Sequence, residues 1–173
     1  MTWAMRAICE DLGTAQYLIE WLGDDMPVWT LPLFTFAVAA AMSFATGTSW
    51  GAMGILIPII LPLAFSLGAY ETGGGIVFFL TAAAILDGAI FGDHCSPISD
   101  TTALSSISSG CDHIAHVKTQ LLYALTTMTL SGLIGYLAVG GSMPLWLFYV
   151  LFPLAAYGVL RFIGQRVVSK AEG

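Results

Sequence analysis

Long uncharged apolar runs alternate with short polar breaks along this chain. No charged residue occurs in residues 26–70 or in residues 119–160. One helical crossing of the roughly 30 Å hydrocarbon core of a bilayer takes about 20 apolar residues, so each run has the length of two crossings. The pattern predicts an all-α fold, a polytopic membrane protein built as a bundle of helices.

The polar breaks divide these runs into separate predicted helices. They cover residues 1–23, 27–46, 52–69, 76–91, 101–109, 119–139 and 144–163. Residues 111–118 are predicted as a polar link, and residues 166–173 as a polar cytoplasmic tail. We expect a single membrane domain over residues 1–173.

Composition agrees with a membrane protein and excludes other classes. The chain is 57% hydrophobic and 9% charged, with a mean hydropathy of +0.85. A soluble domain usually carries about 25% charged residues. There is no basic patch, so nucleic acid is not an expected partner. The partner that the composition does predict is the lipid bilayer.

The few basic residues predict the orientation of the helices. Basic residues collect on the cytoplasmic side of a membrane, and three lie near the C-terminus: Arg161, Arg166 and Lys170. Counting the helices back also places Lys118 and Arg6 inside. The same parity holds whether residues 28–69 cross twice or form a re-entrant hairpin, and we favour the hairpin.

The first polar break, residues 46–51, contains three hydroxyl side chains beside a glycine: Thr46, Thr48 and Ser49. A hairpin would hold this break near the middle of the membrane. Irregular backbone at that depth is tolerated where it is buried in protein or lines a water-filled cavity. Transporters use such broken helices to bind ions. The alternative is an ordinary short loop at the cytoplasmic surface.

The second break, residues 92–102, combines carboxylates with hydroxyls. Its oxygen-bearing side chains include Asp93, Ser96, Ser99, Asp100 and Thr101. Hard cations prefer oxygen ligands. Two nearby carboxylates repel each other, which favours a proton on one of them. The break therefore has the chemistry to exchange H⁺ for Na⁺. A compatible local role is that Ser99 or Asp100 caps the following helix.

Asp87 lies alone in the apolar run 76–91. A carboxylate at that depth suggests a functional role, so Asp87 is a candidate proton relay or ligand, together with His94. The alternative is that Asp87 is hydrogen-bonded to a neighbouring helix. Zinc is a weaker possibility, because the histidines and cysteines match no standard spacing. We expect no resident metal, no cofactor and no enzyme activity.

Two long segments resemble the NhaC-type Na⁺/H⁺ antiporter family. They are residues 44–58 (FATGTSWGAMGILIP) and 89–102 (AIFGDHCSPISDTT), and the resemblance continues at 109–114 (SGCDHI). It implies a fold of two inverted repeats, each with a broken or re-entrant element lining a central site. It also implies Na⁺/H⁺ antiport across the bacterial cytoplasmic membrane, with residues 46–49 and 93–102 at the site.

The chain departs from that family pattern in two ways. It is much shorter than a family member and is similar to the C-terminal half, so one repeat is expected to come from a missing N-terminal half or a second copy. An acid also stands at Asp87, where the family would have a small residue. Two alternatives stay open: a Na⁺- or H⁺-coupled exchanger of small carboxylates or amino acids, and a non-transporting fragment or assembly partner.

Overall fold

The computed structural model describes residues 27–71 and 75–162, together with residues 4, 7, 8, 11–13 and 17. In the two long ranges every regular element is helical, which confirms the predicted fold class. After a 3-10 turn at Val28–Thr30, the helices are α1 (Leu31–Thr46), α2 (Ser49–Ser66), α3 (Ile76–Cys95), α4 (Asp100–Ser108), α5 (His113–Leu130) and α6 (Leu145–Phe162). The chain continues from α5 as a π-helix over Ser131–Val139.

Three of the described helical segments are long and apolar enough to cross a membrane. They are Val28–Thr46, Ser49–Ser66 and Ile76–Cys95, with 19, 18 and 20 residues. A shorter apolar helix covers Leu145–Arg161. The chain is therefore a multi-pass helical membrane protein. Whether α1 and α2 form a re-entrant hairpin or two full crossings stays a prediction.

The boundary between α1 and α2 is two residues long. Gly47 ends α1 with a positive φ of 67°, and its N–H donates to the Ser43 carbonyl at 2.8 Å. Glycine adopts this left-handed conformation without a Cβ penalty. Thr48 then caps α2, because its hydroxyl accepts from the Gly51 N–H at 3.3 Å. The break is thus shorter than the predicted residues 46–51.

Helix α3 packs directly against the backbone of α1. A Cβ added at Gly88 would lie 2.5 Å from the Phe36 carbonyl oxygen, and one at Gly92 would collide with the Ala40 carbonyl. Glycines four residues apart allow two helices to approach this closely in a membrane. The Ser43 hydroxyl spans the pair by donating to the Ala89 carbonyl at 2.6 Å.

Apolar side chains attach α2 to this helix pair. The buried cluster consists of Ala39 from α1, Ile85 from α3, and Leu56, Ile59, Ile60 and Leu63 from α2. With α2 held there, the α1–α2 turn lies at the end of the bundle that also carries the end of α3. The packing therefore decides which polar residues can meet.

Two predictions about the second half of the chain are wrong. Helix α3 does not end at residue 91 but continues through Cys95, so Asp93 lies on a helix and the break is Ser96–Ser99. The predicted polar link at 111–118 is mostly helical. Asp112 caps α5 by accepting from the Ala115 N–H at 2.8 Å, and the helix starts at His113. Polarity suggested a loop, whereas the cap starts a helix with a polar first turn.

Several predictions lie outside the described residues. These are most of the helix at 1–23, the turn at 24–25, the glycines at 73 and 74, and the tail at 166–173. The helices predicted at 27–46 and 144–163 agree with α1 and α6 to within a few residues. The helix predicted at 119–139 is the later part of α5 and the π-helix.

Candidate cation site around Asp93

The α1–α2 turn and the break between α3 and α4 are in contact. The Ser96 hydroxyl donates to the Phe44 carbonyl of α1 at 2.8 Å. Gly47 lies so close to the second break that an added Cβ would be 2.9 Å from the Ile98 carbonyl oxygen. Two polar breaks that are about 50 residues apart in sequence therefore form one region.

Asp93 is the buried carboxylate of this region, with 6% of its surface exposed. Its Oδ1 accepts a hydrogen bond from the Ser99 hydroxyl at 2.9 Å, and its Oδ2 accepts one from the Thr101 hydroxyl at 3.1 Å. Ser99 is fully buried. A buried charge is costly unless it is paired, so this carboxylate is stabilised by a cation or by a proton.

The hydroxyls around Asp93 can change partners by rotation. The Ser99 and Thr101 hydroxyl oxygens are 2.8 Å apart, and either can donate to the other. Ser99 also caps α4 by accepting from the Thr102 N–H at 3.5 Å. A hydroxyl has one proton and two acceptor lone pairs. The same groups that donate to an ionised carboxylate can therefore turn a lone pair towards a cation.

Other predicted ligands are not bonded to Asp93. Thr46 is exposed and its hydroxyl donates to the Met42 carbonyl of its own helix at 2.9 Å. Thr48 is also exposed and caps α2. Ser49 is half-buried at the first position of α2. The structure brings the turn that carries these residues to the region, but it orients two of the three hydroxyls towards local backbone.

Asp100 differs from Asp93 in its surroundings. It is the first residue of α4, and its side chain is exposed in this chain. A carboxylate in the first turn of a helix interacts favourably with the helix dipole. Of the two acids that the sequence pairs, Asp93 is therefore the one held inside the protein.

Asp87 has a partner that the sequence did not identify. The Tyr136 hydroxyl donates to Asp87 Oδ2 at 2.5 Å. Tyr136 is buried and lies in the π-helix Ser131–Val139. π-Helical segments frequently occur at functional sites. A single tyrosine in an uncharged run was the available signal, but its pairing depends on how α3 and the π-helix pack.

Two adjoining cavities open beside α3 and α5, and His94, Gln120 and Tyr123 line both. The first has a volume of about 470 Å³, and all eight of its lining side chains carry polar groups, including Thr101, Ser105 and His116. The second, of about 390 Å³, is mostly apolar but includes Asp87. Together they form a groove that extends from the Asp93 region to Asp87.

The histidines and cysteines do not form a metal centre in the described part of the chain. Within it, no three His, Cys, Asp or Glu side chains converge as metal ligands. Of the two described histidines after α4, each places its Nδ1 near the Ser106 hydroxyl. Sequence reasoning gave no role to Ser106, Gln120 or Tyr123.

Comparison with protein families places most of the chain in one group. A model of the Na⁺/H⁺ antiporter family matches residues 1–141. No solved structure matches the chain.

Curated relatives share the same region. An uncharacterized protein of Haemophilus influenzae is 44% identical over 138 residues, which are 80% of this chain and 25% of that protein. The malate-2H⁺/Na⁺-lactate antiporter of Bacillus subtilis is 38% identical over 102 residues, 59% of this chain and 20% of the relative. The arginine/ornithine antiporter of Halobacterium salinarum is 33% identical over 140 residues, 76% and 27%. The chain thus spans about a quarter of the length of these relatives.

Proposed function

Because this chain belongs to the Na⁺/H⁺ antiporter family, we propose that it forms part of a secondary antiporter in which Na⁺ and H⁺ compete for the Asp93 carboxylate. The observation that carries the proposal is a carboxylate that is 6% exposed and whose two oxygens each accept a hydroxyl hydrogen bond. An acid inside a membrane protein is expensive to keep and is typically part of an ion or proton pathway.

Exchange at Asp93 conserves charge. When Na⁺ binds the carboxylate, the proton leaves, and when a proton returns, Na⁺ leaves, so the site stays neutral in both states. Ser99 and Thr101 follow the change by rotating their hydroxyls, donating to the carboxylate or offering a lone pair to Na⁺. An empty ionised site would leave a buried charge unpaired, which disfavours movement across the membrane without cargo.

The remaining oxygens of the site complete this proposal. Ser96, Asp100, Thr46, Thr48 and Ser49 are proposed as further ligands. Asp100, Thr46 and Thr48 are exposed in this chain, which supports a further segment or a second copy that covers them. That segment would correspond to the expected N-terminal half. Asp100→Asn is then expected to abolish exchange without loss of folded protein.

The direction of exchange follows from the proposed orientation. With the C-terminus on the cytoplasmic side of a bacterial inner membrane, cytoplasmic Na⁺ would leave as external H⁺ enters. Basic residues at positions 118 and 161 support this orientation. Protease accessibility of a C-terminal tag in intact cells and in inverted vesicles would test it.

The direct test is Na⁺-induced pH change in proteoliposomes that contain this chain. Asp93→Asn removes the titratable group with little change in size, so it is expected to abolish a saturable Na⁺ signal. Asp112→Asn is the matched control, because Asn also caps helices well and this variant should keep the signal. Exchange by Asp93→Asn at the wild-type rate would contradict the proposal.

A second candidate function is coupled exchange of a small organic solute. The cavity of about 470 Å³ is larger than a bare cation requires, and its polar lining lies next to the Asp93 region. Ligand sites for small molecules have volumes of about 300–1,000 Å³. Two relatives are named as antiporters of malate and lactate and of arginine and ornithine.

Counterflow of labelled solutes would distinguish the candidates. Proteoliposomes loaded with malate, lactate, arginine or ornithine are tested for uptake of the labelled compound with and without a Na⁺ gradient. Uptake of one solute and no Na⁺/H⁺ signal would favour the solute exchanger. No exchange of any cargo by well-inserted protein would favour the assembly-partner alternative.

A further inference from the structure

Ser106 joins α4 to the first turn of α5 through an unusual set of contacts. It is 1% exposed. Its hydroxyl oxygen lies 2.8 Å from the Thr102 carbonyl oxygen, 2.8 Å from His116 Nδ1 and 3.1 Å from His113 Nδ1. The other ring nitrogen of His113, Nε2, lies 2.7 Å from the Pro97 carbonyl oxygen. His113 therefore connects α5 both to α4 and to the break that precedes α4.

The protons available to this cluster can be counted. A carbonyl oxygen only accepts, so His113 Nε2 must carry a proton to bond Pro97. Ser106 has one proton, and if it donates to the Thr102 carbonyl, the Nδ1 atoms of His113 and His116 must both donate to Ser106. All four contacts are therefore hydrogen bonds when His113 carries two ring protons.

A neutral His113 cannot satisfy the same set. With its single proton on Nε2 for Pro97, its Nδ1 is a bare acceptor and needs the Ser106 proton. Ser106 then has no proton for the Thr102 carbonyl. Loss of one proton from His113 thus removes one of the contacts that hold α4 to α5.

The field at His113 has two opposing parts. His113 is in the first turn of α5, where the positive end of the helix dipole disfavours a cation. Ser106 lies near the C-terminal end of α4, whose carbonyls favour one. Asp112 caps α5 beside it, with the opposite charge to an imidazolium.

Other titratable groups lie on neighbouring segments but are not bonded to His113. They are Cys111 and Asp112 before α5, His116 and Lys118 within it, Asp87, Asp93, His94 and Cys95 on α3, Asp100 on α4, Tyr136 on the π-helix, and Tyr149, Tyr157 and Arg161 on α6. Among the described residues, His113 bonds through its ring to Ser106 and Pro97. Its ring contacts therefore depend on its own protons.

We propose that His113 is a proton-dependent positioning residue for the break at residues 96–99. In its doubly protonated form it braces the Pro97 carbonyl against α4. The same break carries Ser99, which donates to Asp93, and Ser96, which donates to α1. Protonation of His113 therefore acts on the geometry around Asp93 through the backbone. The effect on ion binding rests on the proposed function, whereas the protonation scheme does not.

The protonation scheme is tested by nitrogen NMR of the chain in lipid nanodiscs with labelled histidine. Between about pH 5 and 8 the spectrum of His113 should change from two N–H groups to Nε2–H alone. His116 should retain Nδ1–H in its neutral form. Ser106→Ala should change the tautomer balance, and the exposed Ser108→Ala on the same helix should not. A neutral His113 protonated at Nδ1 would overturn the proposal.

The effect on the cation site is tested with two variants of His113. His113→Gln can keep a donor near the Pro97 carbonyl but does not titrate, whereas His113→Ala removes the donor. The Gln variant should bind Na⁺ within about twofold of wild type and lose the pH dependence of that affinity. The Ala variant should bind about fivefold more weakly, as expected for one lost hydrogen bond.

The two arms separate the ways in which the idea can fail. An unaltered pH dependence in His113→Gln, or wild-type Na⁺ affinity in His113→Ala, would refute the positioning role. If the wild-type chain neither binds nor exchanges Na⁺, the proposed function fails, and the NMR result alone decides whether His113 forms a proton-dependent brace.

Discussion

Ser99 provides the sharpest test of the Asp93 site because one hydroxyl has two separable roles. It donates to Asp93 Oδ1 at 2.9 Å, and it caps α4 by accepting from the Thr102 N–H at 3.5 Å. Ser99→Ala removes both contacts. Ser99→Gly also removes the carboxylate contact but weakens the cap by only a few tenths of a kcal/mol, since glycine is tolerated at this position.

The expected magnitude comes mainly from the carboxylate contact. A hydrogen bond to a charged group contributes about 1.5–3 kcal/mol. A value of about 2 kcal/mol corresponds to a factor of roughly 30 in affinity, because 1.4 kcal/mol is tenfold. The cap contact is long, so its contribution falls at the low end of the range of about 0.5–2 kcal/mol for N-caps. Both variants should therefore weaken Na⁺ binding by a similar factor.

The assay is the Na⁺ concentration that gives half of the maximal pH change in proteoliposomes, measured beside thermal unfolding. Ser108→Ala is the control, because this exposed hydroxyl on the same helix bonds the Ser105 carbonyl of α4 itself. If both Ser99 variants keep an affinity within about threefold of wild type, the carboxylate contact contributes less than about 0.7 kcal/mol and the reasoning is refuted. Loss in the Ala variant alone would assign Ser99 to the cap.

Two further predictions concern packing around the site. Gly92→Ala should destabilise the chain by about 1–3 kcal/mol because α1 leaves no room for a Cβ, whereas Gly158→Ala, with no atom within 4 Å, should not; equal thermal unfolding of the two variants would contradict the α1–α3 contact. Tyr136→Phe and Asp87→Asn should be coupled by at least about 0.5 kcal/mol in a double-mutant cycle of unfolding free energies, because the hydrogen bond joins them directly; additive effects would show that the bond does not contribute.

The sequence predicted the helices well where the physical requirement is local. A bilayer core contains no water to hydrogen-bond the backbone, so a long apolar run must satisfy its own amide groups as a helix. That requirement predicted α1, α3 and α6. It failed at the ends of elements: the Gly92–Cys95 segment is helical despite its polarity, and the Asp112 cap starts α5 before the apolar run begins.

The sequence also identified the two polar breaks and the chemistry they contain, because oxygen-rich side chains in an apolar chain are visible without a structure. Only the tertiary structure decided which acid is enclosed. Asp93 and Asp100 are seven positions apart and equivalent as sequence, yet Asp93 is buried with two hydroxyl partners and Asp100 is exposed.

The physical reason is that burial depends on the face a helix presents to its neighbours. Gly88 and Gly92 let α3 approach the α1 backbone, and this close packing brings the end of α3 to the turn at Gly47. The pairing of Tyr136 with Asp87 depends on the same arrangement from another side. Residue type determines what a side chain can bond, whereas the packing of helices distant in sequence determines what it meets.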